Sequence, residues 1–555
     1  MKNSITKFKL LLAVISIFIF SIPLSAQKID DFEISKNLEI FINVYKELHL
    51  NYVDDLQHGK LIKTAIDKML ESLDPYTNFI PESEIEDLRL MTTGQYGGIG
   101  ALIQQREGFV VISEPYEGFP AQIAGLKAGD RIIKINGEDA KDKSVSDVST
   151  FLKGFPGTQV TLVIERPGED KLHTFEITRE DIKIKNVPYY AALDGGIGYI
   201  KLSNFAFGAS AEVKDAMINL KTNNNISTLI LDLRGNGGGL LGEAINIVGL
   251  FVPKNTLVVN TRGKLKDSNK DYRTLTHPYD LNIPIVVLID NMSASASEIV
   301  AGSLQDLDRA VVIGQQSFGK GLVQNVLQLN YNTRLKVTIA KYYIPSGRCI
   351  QSVDYSDRDS TGRVKNPTTT DKAIFYTSNK RPVYDAGGII PDITTDQGQY
   401  SKITITLVIK SLIFDFATLF AQQNPNIPPA DIFKITDQIY NEFIAFLEDK
   451  EYDYETESEK KLRELKEITV EEKYFESISA EYESLVTKLT HNKNEDLITF
   501  REEISEILAN EIVSRYYFQK GRIENSIQFD SDIKQAVSLL INPTEYQNIL
   551  KTPEK

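Results

Sequence analysis

Residues 283–307 read IPIVVLIDNMSASASEIVAGSLQDL, and this segment indicates how the central part of the chain folds. Its first half is a continuous apolar run ending at Asp290, which is typical of a strand in a sheet covered on both faces. Its second half has the spacing of a helix, so the small residues between the halves form a strand-to-helix turn. Such a turn can point a hydroxyl outwards, which makes Ser295 a candidate nucleophile. The same letters also fit an ordinary helix start, because Ser295 and Glu298 spell a Ser-x-x-Glu capping box.

The sequence on both sides continues the alternation of strands and helices. Strands are predicted at GIGYIKL, STLILDL, RAVVIG, LVQNVLQL and RLKVTIAKYYI, and helices through residues 211–220 and 243–250. This order is typical of an α/β sheet with helices on both faces. We place this core at residues 185–400.

The loop after RAVVIG carries a lysine in an unusual place. Lys320 stands between Gly319 and Gly321 on a predicted turn between strands, where a charge without a purpose is costly. The chain offers no Ser-centred nucleophile elbow and no histidine in a paired position, so a serine nucleophile would need another base. A buried lysine can supply it, because loss of hydration lowers the pKa of its ammonium group and leaves a neutral amine. Gln324, four residues later on the next strand, could orient that amine.

Two glycine-rich patterns in the core resemble nucleotide-binding loops, but each lacks a second requirement. Residues 314–320 fit Gly-x-x-x-x-Gly-Lys, yet Gly321 stands where a Ser or Thr would bind magnesium. Residues 237–242 fit Gly-x-Gly-x-x-Gly, yet no acidic residue ends a second strand about 20 residues later. We therefore expect no nucleotide and no cofactor.

The second of these loops has another use in hydrolysis. Backbone N–H groups at a glycine-rich strand-to-helix turn can stabilise the oxyanion of a tetrahedral intermediate. Gly238 is the candidate donor, Gly239 is its alternative, and the N–H of Ala296 would be the second donor.

Residues 94–184 change to short strands and form a predicted β-rich module. The strands ALIQQ, FVVISE, RIIKING, QVTLVIER and HTFEITR surround two predicted helices, at 120–124 and 145–152. GQYGGIGALI opens the module, and the backbone N–H groups of Gly98, Ile99 and Gly100 could bind the carboxylate at a chain end. The next strand could then pair with the peptide as an added strand. The alternative is that these glycines only form a tight turn.

The chain ends are predicted to be a signal peptide and two helical regions. Lysines precede the apolar run Leu10–Leu24 and small residues follow it, so residues 1–26 read as a secretory signal peptide. An uncleaved N-terminal membrane anchor remains an alternative, although the apolar run is shorter than the roughly 20 residues that span a bilayer. Helical periodicity predicts an N-terminal helical domain at 27–93, broken by SLDPYTNF, and a charged C-terminal helical domain at 401–555.

The composition is that of a soluble multidomain protein. The 555 residues are too many for one hydrophobic core, and 42% of them are hydrophobic and 25% charged. The net charge of −14 argues against nucleic acid as the main partner, because phosphate binding needs clustered Lys and Arg. Cys349 is the only cysteine and the 5 histidines are scattered, so we expect no disulfide and no metal site.

Taken in order, the motifs resemble those of the carboxyl-terminal processing peptidases, also called tail-specific proteases, across residues 35–395. The matching pieces are SLDPYTNF, the GGIG-led module, LDLRGNGGG, SASASEIVAGSLQD, FGKGLVQ, YYIPSGRCIQ and GGIIPDI, and LKAGDRIIKING resembles the bacterial PDZ domain. With the helical ends, the resemblance implies a multidomain fold of mixed α/β and α+β class. Its parts are a helical N-terminal domain, a β-rich PDZ domain, an α/β protease core of crotonase-like ββα type and a helical C-terminal domain. The long helical segment after residue 400 departs from the family's pattern.

The resemblance also implies roles for single residues. It assigns Ser295 as the nucleophile, Lys320 as the base and Gln324 as the third member of a triad. The family's oxyanion donors fall on Ala296 and on the Gly-Gly of LDLRGNGGG. Arg166, at the exit of the PDZ module, is the residue implied for coupling tail binding to the site.

We therefore expect an exported serine endopeptidase of the periplasm or cell envelope that selects protein substrates by their apolar C-terminal tails. Association with further copies of the chain or with an adaptor protein remains an alternative. Binding of nucleic acid or nucleotide is not expected. The alternative function is a PDZ adaptor with a vestigial protease core. The presence of Ser295, Lys320 and Gln324 together disfavours it.

Overall fold

The computed structural model describes residues 25–355 and 373–551, apart from residues 386, 397 and 399 and the side chains of residues 25–30. The signal peptide predicted for residues 1–26 therefore lies almost wholly outside the described residues.

The chain divides into two compact units, residues 1–72 and residues 73–555. The described part of the first unit holds two helices, α1 (Ser25–Asn51) and α2 (His58–Glu71). The second unit begins with β1 (Asn78–Ile80), a 3₁₀ turn at Glu82–Glu84 and α3 (Ile85–Thr93). Gly94 ends α3 with φ +69°, a left-handed conformation that glycine adopts readily, and leads the chain into the next module.

A β-rich module follows, as its strand pattern predicted. Its elements are β2 (Gln95–Gly98), β3 (Ala101–Arg106), β4 (Phe109–Pro115), α4 (Pro120–Ala124), β5 (Arg131–Ile135), β6 (Glu138–Asp139), α5 (Val145–Leu152), β7 (Gln159–Glu165), β8 (Leu172–Thr178) and β9 (Glu180–Lys183). The main sheet has the order β3-β4-β5-β7-β8 with β6 beside β5, and β2 pairs with β9. Both helices have the predicted bounds. Among the described strands β3 pairs only with β4, so its other edge is open.

The core is a six-stranded sheet with a second sheet beside it. Its elements are β10 (Tyr189–Leu193), β11 (Ile197–Lys201), α6 (Ala209–Asn224), β12 (Thr228–Asp232), α7 (Leu241–Gly249), β13 (Leu257–Gly263), a 3₁₀ turn (Lys266–Ser268), β14 (Lys270–Arg273), β15 (Ile285–Ile289), α8 (Ala296–Asp306), β16 (Val311–Gly314), β17 (Leu322–Gln328), β18 (Arg334–Tyr343), β19 (Ile374–Tyr376), β20 (Pro382–Tyr384) and β21 (Ile393–Thr394). The central sheet has the order β10-β11-β12-β15-β16-β21 and is parallel except for β10 with β11. In the second sheet β18 pairs with β1, β13 and β17.

The C-terminal region is helical. Its helices are α9 (Lys402–Ile409), α10 (Leu412–Gln423), α11 (Asp437–Leu447), α12 (Glu457–Glu471), α13 (Phe475–Leu489), α14 (Lys493–Thr499), α15 (Arg501–Ile527), α16 (Ser531–Leu540) and α17 (Pro543–Leu550). Within the described ranges, no single helix has the length and hydropathy of a membrane span. The bent pair α9 and α10 meets both criteria when taken together. Leu407 and Ile413 of this pair are buried among the neighbouring helices, whereas Ile409 is exposed.

The central sheet is covered on both faces, as the apolar strands predicted. Alternate residues of β12 show this, because Leu231 packs with helices α6, α7 and α8 whereas Ile230 packs with α16 and α17. The Tyr546 hydroxyl of α17 even hydrogen-bonds the backbone of Ile285 at the start of β15. The face of the central sheet opposite α6, α7 and α8 is thus covered by helices from about the last 25 residues of the chain.

Candidate active site

Three loops meet at one edge of the central sheet. They follow β12, β15 and β16, which are neighbouring parallel strands. The carboxyl ends of parallel strands lie at the same edge of a sheet, and ligands bind there in open α/β sheets. The loops carry the three glycines 237–239, Ser295 and Lys320, so the fold brings the predicted catalytic residues to one place.

Ser295 lies on a strained turn between β15 and α8. Its φ of 57° and ψ of −111° are unusual for a residue with a side chain. Strain of this kind costs roughly 1–3 kcal/mol and persists only where the surroundings hold it. The Ser295 N–H donates to Glu298 Oε2 at 2.7 Å, and the Ser295 carbonyl accepts from the Ile299 N–H at 2.9 Å. The turn therefore starts a helix and presents a half-buried serine, although the sequence around it lacks an elbow motif.

The other serines of this turn serve as anchors. The Ser293 hydroxyl donates to the Leu233 carbonyl at 2.9 Å, and the Ser297 hydroxyl donates to the Asn236 carbonyl at 2.8 Å. Both serines are fully buried. They tie the turn to the glycine-rich loop after β12.

Lys320 is half-buried under an aromatic ring. Its Nζ lies 4.3 Å from the centroid of the Tyr76 ring. The pKa of the Lys320 amine is lowered to about 8, chiefly by burial and also by the positive charge of Lys336, while the carboxylates of Glu298 and Asp74 oppose the shift. A neutral amine is thus accessible close to neutral pH.

Glycine is required on both sides of Lys320. A Cβ at Gly319, where φ is +86°, would lie 2.5 Å from the Ser352 side chain. A Cβ at Gly321 would lie 2.7 Å from the backbone nitrogen of Gln351. The loop can approach its neighbours this closely only without side chains at these two positions.

One buried carboxylate joins the two turns. Glu298 Oε2 accepts from the N–H groups of Ser295 at 2.7 Å and Lys320 at 2.9 Å. Glu298 Oε1 accepts from the Ser317 hydroxyl at 2.6 Å and the Gly319 N–H at 2.7 Å. Burial raises the pKa of Glu298 to about 7, against the effect of these four hydrogen bonds. Only the bond of Glu298 to Ser295 was predicted by the capping-box pattern.

A buried tyrosine joins the same two turns on their carbonyl side. The single proton of the Tyr342 hydroxyl is shared between the Ser295 carbonyl, at 3.2 Å, and the Lys320 carbonyl. Tyr342 is 1% exposed. Its only sequence signal was its place in the YYIPSGRCIQ motif, to which no role had been assigned.

Gln324 lies close to this site but is bonded to a threonine. Its Nε2 donates to Thr338 Oγ1 at 3.2 Å, and the Thr338 N–H donates to Thr77 Oγ1 at 3.2 Å. Asp74 Oδ1 accepts from the N–H groups of Tyr76 and Thr77 at 2.8 Å each. The segment SLDPYTNF therefore borders the lysine site, and the orienting role of Gln324 stays a prediction.

The glycine-rich loop lies directly against Ser295. A Cβ on Gly238, where φ is +98°, would lie 2.9 Å from Ser295 Cβ. The Gly238 N–H, however, donates to Asn236 Oδ1 at 2.9 Å, so it is not free to bind an oxyanion. Within the part of the chain that the structure describes, no group accepts from the N–H of Gly239 or Ala296. This geometry favours Gly239 over Gly238 as the partner of Ala296.

The predicted carboxylate-binding loop of the β-rich module is buried beneath a tyrosine. Gly98, Ile99 and Gly100 are all buried, and a Cβ on Gly98 would lie 2.6 Å from the ring of Tyr96. Burial raises the pKa of the Tyr96 hydroxyl, and hydrogen bonds from the backbone of Ala101 and Gly100 oppose that rise. The hydroxyl oxygen of Tyr96 thus lies next to the N–H groups of Gly100 and Ala101, beside the open strand β3.

Arg166 is bonded within its own module. Its Nε and Nη2 donate to the two carboxylate oxygens of Asp130 at 2.8 Å each, and Nη2 also donates to the Gly125 carbonyl at 2.9 Å. Gly129, next to Asp130, lies against Thr418 of α10. The structure therefore places Arg166 on the side of the C-terminal helices, and its coupling role stays a prediction.

Comparison with known proteins identifies three regions of the chain. Residues 196–356 match Peptidase family S41, and residues 111–166 match the PDZ domain. Residues 403–540 match the family described as "Probable PDZ-protease, C-terminal helical domain". The helical segment after residue 400, which departs from the pattern expected for the processing peptidases, thus matches a helical domain described for probable PDZ proteases. The four-part fold class predicted from the sequence is confirmed by these three family matches together with the observed element order.

Two relatives and one solved structure illustrate the similarity. A carboxy-terminal-processing protease of Bartonella bacilliformis is 38% identical over 322 residues, which are 57% of this chain and 73% of the relative. A probable CtpA-like serine protease of Staphylococcus aureus strain N315 is 35% identical over 320 residues, which are 57% of this chain and 62% of the relative. The photosystem II D1 C-terminal processing protease is 28% identical with a TM-score of 0.35, over 64% of this chain and 92% of that chain.

Proposed function

The chain belongs to peptidase family S41, the carboxy-terminal-processing serine peptidases, and on that basis we propose that it cleaves proteins with Ser295 as nucleophile and Lys320 as base. The observation that carries this proposal is the pairing of the two turns. A strained, half-buried serine and a lysine with a lowered pKa are bonded through their backbones to one carboxylate, that of Glu298.

The proposed reaction has two steps. The neutral Lys320 amine takes the proton of the Ser295 hydroxyl as the oxygen attacks the carbonyl carbon of the scissile peptide bond. The N–H groups of Ala296 and Gly239 stabilise the oxyanion, and the Lys320 ammonium gives its proton to the leaving amine. Lys320 then activates water, which hydrolyses the acyl ester on Ser295 and restores the free enzyme.

The surroundings of the amine support this role. With a pKa of about 8, roughly half of the Lys320 side chains are neutral at pH 8, whereas very few would be neutral at the ordinary pKa near 10.4. The adaptor alternative needs neither a strained serine nor a desolvated lysine. The presence of both therefore supports catalysis.

A PDZ domain indicates binding of peptide or protein carboxyl termini, and we propose that this one selects the substrate by its tail. The tail would add to the open edge of β3 and replace the Tyr96 hydroxyl at the N–H groups of Gly100 and Ala101. Leu102 is 46% exposed on β3, which favours an apolar side chain in the tail. The tail is thus expected to compete with Tyr96 for one set of donors.

We also propose that the protein acts in the periplasm or cell envelope. The proposal rests on the lysine-flanked apolar run at Leu10–Leu24. Mass determination of the mature N-terminus after expression with its own leader would test it. A new terminus close to residue 27 in the envelope fraction is expected, and an intact N-terminus in the cytoplasm would contradict it.

The function itself is tested with an unfolded protein substrate that ends in apolar residues. The purified chain should cut it internally, and Ser295→Ala should leave it intact over the same time. Equal cleavage by both proteins would rule out Ser295 as the nucleophile.

A further inference from the structure

Glu298 connects the proposed nucleophile and base more directly than a helix cap does. A single oxygen, Oε2, accepts from the N–H groups of both Ser295 and Lys320. The distance between the two backbone nitrogens therefore cannot exceed the sum of the two hydrogen-bond lengths. The distance between the serine turn and the lysine loop is set by this oxygen.

The bonding pattern requires the ionised form of Glu298. A carboxylate has about four acceptor sites, and four donors fill them here: two on Oε2, and the Ser317 hydroxyl and Gly319 N–H on Oε1. A protonated Glu298 would turn one acceptor into an O–H donor that faces other donors. Protonation would therefore break at least one of the bonds that hold the two turns.

We propose that ionised Glu298 is a positioning residue for the reaction: it sets the register of the Ser295 turn against the Lys320 loop, and its protonation releases that register. The inference rests on the proposed function, because it requires Ser295 and Lys320 to be the catalytic pair. It adds a second group that must lose a proton before the enzyme is active.

The charges around the pair determine the direction of the pH effect. Lys320 faces the charges of Lys336, Glu298 and Asp74, and Glu298 also faces the hydroxyls of Tyr76 and Tyr342, which are neutral over the range considered. Burial sets the pKa of Glu298 at about 7 and that of Lys320 at about 8. Both groups act in their deprotonated forms, so the logarithm of kcat/KM should rise with a slope near two below both values and near one between them.

Glu298→Gln is the first test, because it removes the charge and keeps the shape. The amide NH₂ would face N–H donors, so kcat should fall by roughly 100-fold with little change in KM. At low pH the logarithm of kcat/KM for this variant should rise with a slope of one, instead of the slope of two expected for the wild type. The acid limb should also move to lower pH, because the Glu298 charge no longer raises the pKa of Lys320. Glu298→Asp keeps the charge and should restore the second ionisation and part of the rate.

Glu212→Gln is the matched control. Glu212 accepts from the Asn186 side chain at 3.1 Å and the Val187 N–H at 3.0 Å, outside the three loops of the site. The same change of carboxylate to amide should leave kcat and the slope at their wild-type values. If kcat falls equally in both variants, the effect of Glu298 on the rate is one of general folding, and the proposal is overturned.

Circular dichroism decides whether Glu298→Gln is folded, and Ser317→Ala provides the test if it is not. Ser317→Ala removes one donor to Oε1 and leaves the bonds to Ser295 and Lys320 in place. It should raise the pKa of Glu298 and move the acid limb to higher pH. A wild-type profile with one ionisation, or an acid limb unmoved by Ser317→Ala, would overturn the positioning role.

The same assay separates this inference from the proposed function. If Ser295→Ala is inactive while Glu298→Gln keeps the wild-type rate and slope, the positioning role is wrong and the catalytic pair stands. If Ser295→Ala stays active, the proposed function itself is wrong.

Discussion

The Nζ of Lys320 lies 4.3 Å from the centroid of the Tyr76 ring, so a residue of SLDPYTNF covers the proposed base. The ring excludes water from the amine, and burial is the largest cause of its lowered pKa. Tyr76→Ala should therefore admit water, raise the pKa of Lys320 and move the acid limb of kcat/KM to higher pH. Tyr76→Phe keeps the ring and is the control. A profile that does not move in Tyr76→Ala would show that the ring does not tune the base.

The glycine-rich loop after β12 contains two neighbouring glycines at which substitution by alanine should have opposite effects on activity. Gly238→Ala would place a Cβ 2.7 Å from the Ala294 carbonyl oxygen and 2.9 Å from Ser295 Cβ, in a left-handed backbone. Displacement of the loop should lower kcat by about 100- to 1,000-fold, the range for loss of one oxyanion donor. Gly237→Ala meets no atom within 4 Å and should keep activity. Equal kinetics of the two variants would place the oxyanion donors elsewhere.

Tail selection makes the hydroxyl of Tyr96 a competitor of the substrate. Amidation of an apolar tail removes the charge that the N–H groups of Gly100 and Ala101 would bind, so kcat/KM should fall for the wild type. Tyr96→Phe removes the competing oxygen and should lower KM for the free tail only. Tyr331→Phe, at a tyrosine that is 92% exposed, is the control. If the wild type cuts free and amidated tails equally, the PDZ module does not read the carboxylate.

The stability of the core should depend on an ion pair to the last helices. Arg234 bonds Asp232 on β12 and also Asp530 and Asp532 at the start of α16. Burial alone would raise the pKa of Asp232, but Arg234 and Lys201 hold it well below its usual range. Arg234→Ala removes one of the two cations beside the buried Asp232 and the guanidinium that bonds Asp530 and Asp532, and should lower the free energy of unfolding by about 3–5 kcal/mol.

Urea unfolding measures this effect, with an exposed ion pair as its control. Arg273→Ala breaks the pair with Asp271, whose side chain is 50% exposed, and should cost under about 1 kcal/mol. Similar losses in the two variants would contradict a role of Arg234 in holding α16 to the sheet.

Local patterns predicted much of this fold. The helices at 120–124 and 145–152 have the predicted bounds because each is specified by residues close in sequence, such as the capping box of Ser144 and Asp147. The strand-to-helix turn and the lysine loop were predictable for the same reason. Their convergence follows from the parallel order of β12, β15 and β16.

Contacts between distant residues were not predictable. The Tyr342 hydroxyl reaches Ser295 across 47 positions of the chain, and Tyr546 reaches Ile285 across 261. No local period marks such bonds. The capping box made Glu298 visible, but only the packed loops revealed its bonds to Gly319 and Lys320. The occupied N–H of Gly238 likewise depends on the rotamer of Asn236, which sequence does not specify.

Kinetics of single and double variants show whether Ser295 and Lys320 act as one catalytic unit. Turnover of an unfolded protein with a free apolar tail should fall by roughly 10⁴-fold or more in Ser295→Ala and in Lys320→Ala. The double variant should be hardly slower than either, because members of one unit are not additive. A folded Lys320→Ala that keeps most of the wild-type rate, or two losses that multiply in the double variant, would contradict the account.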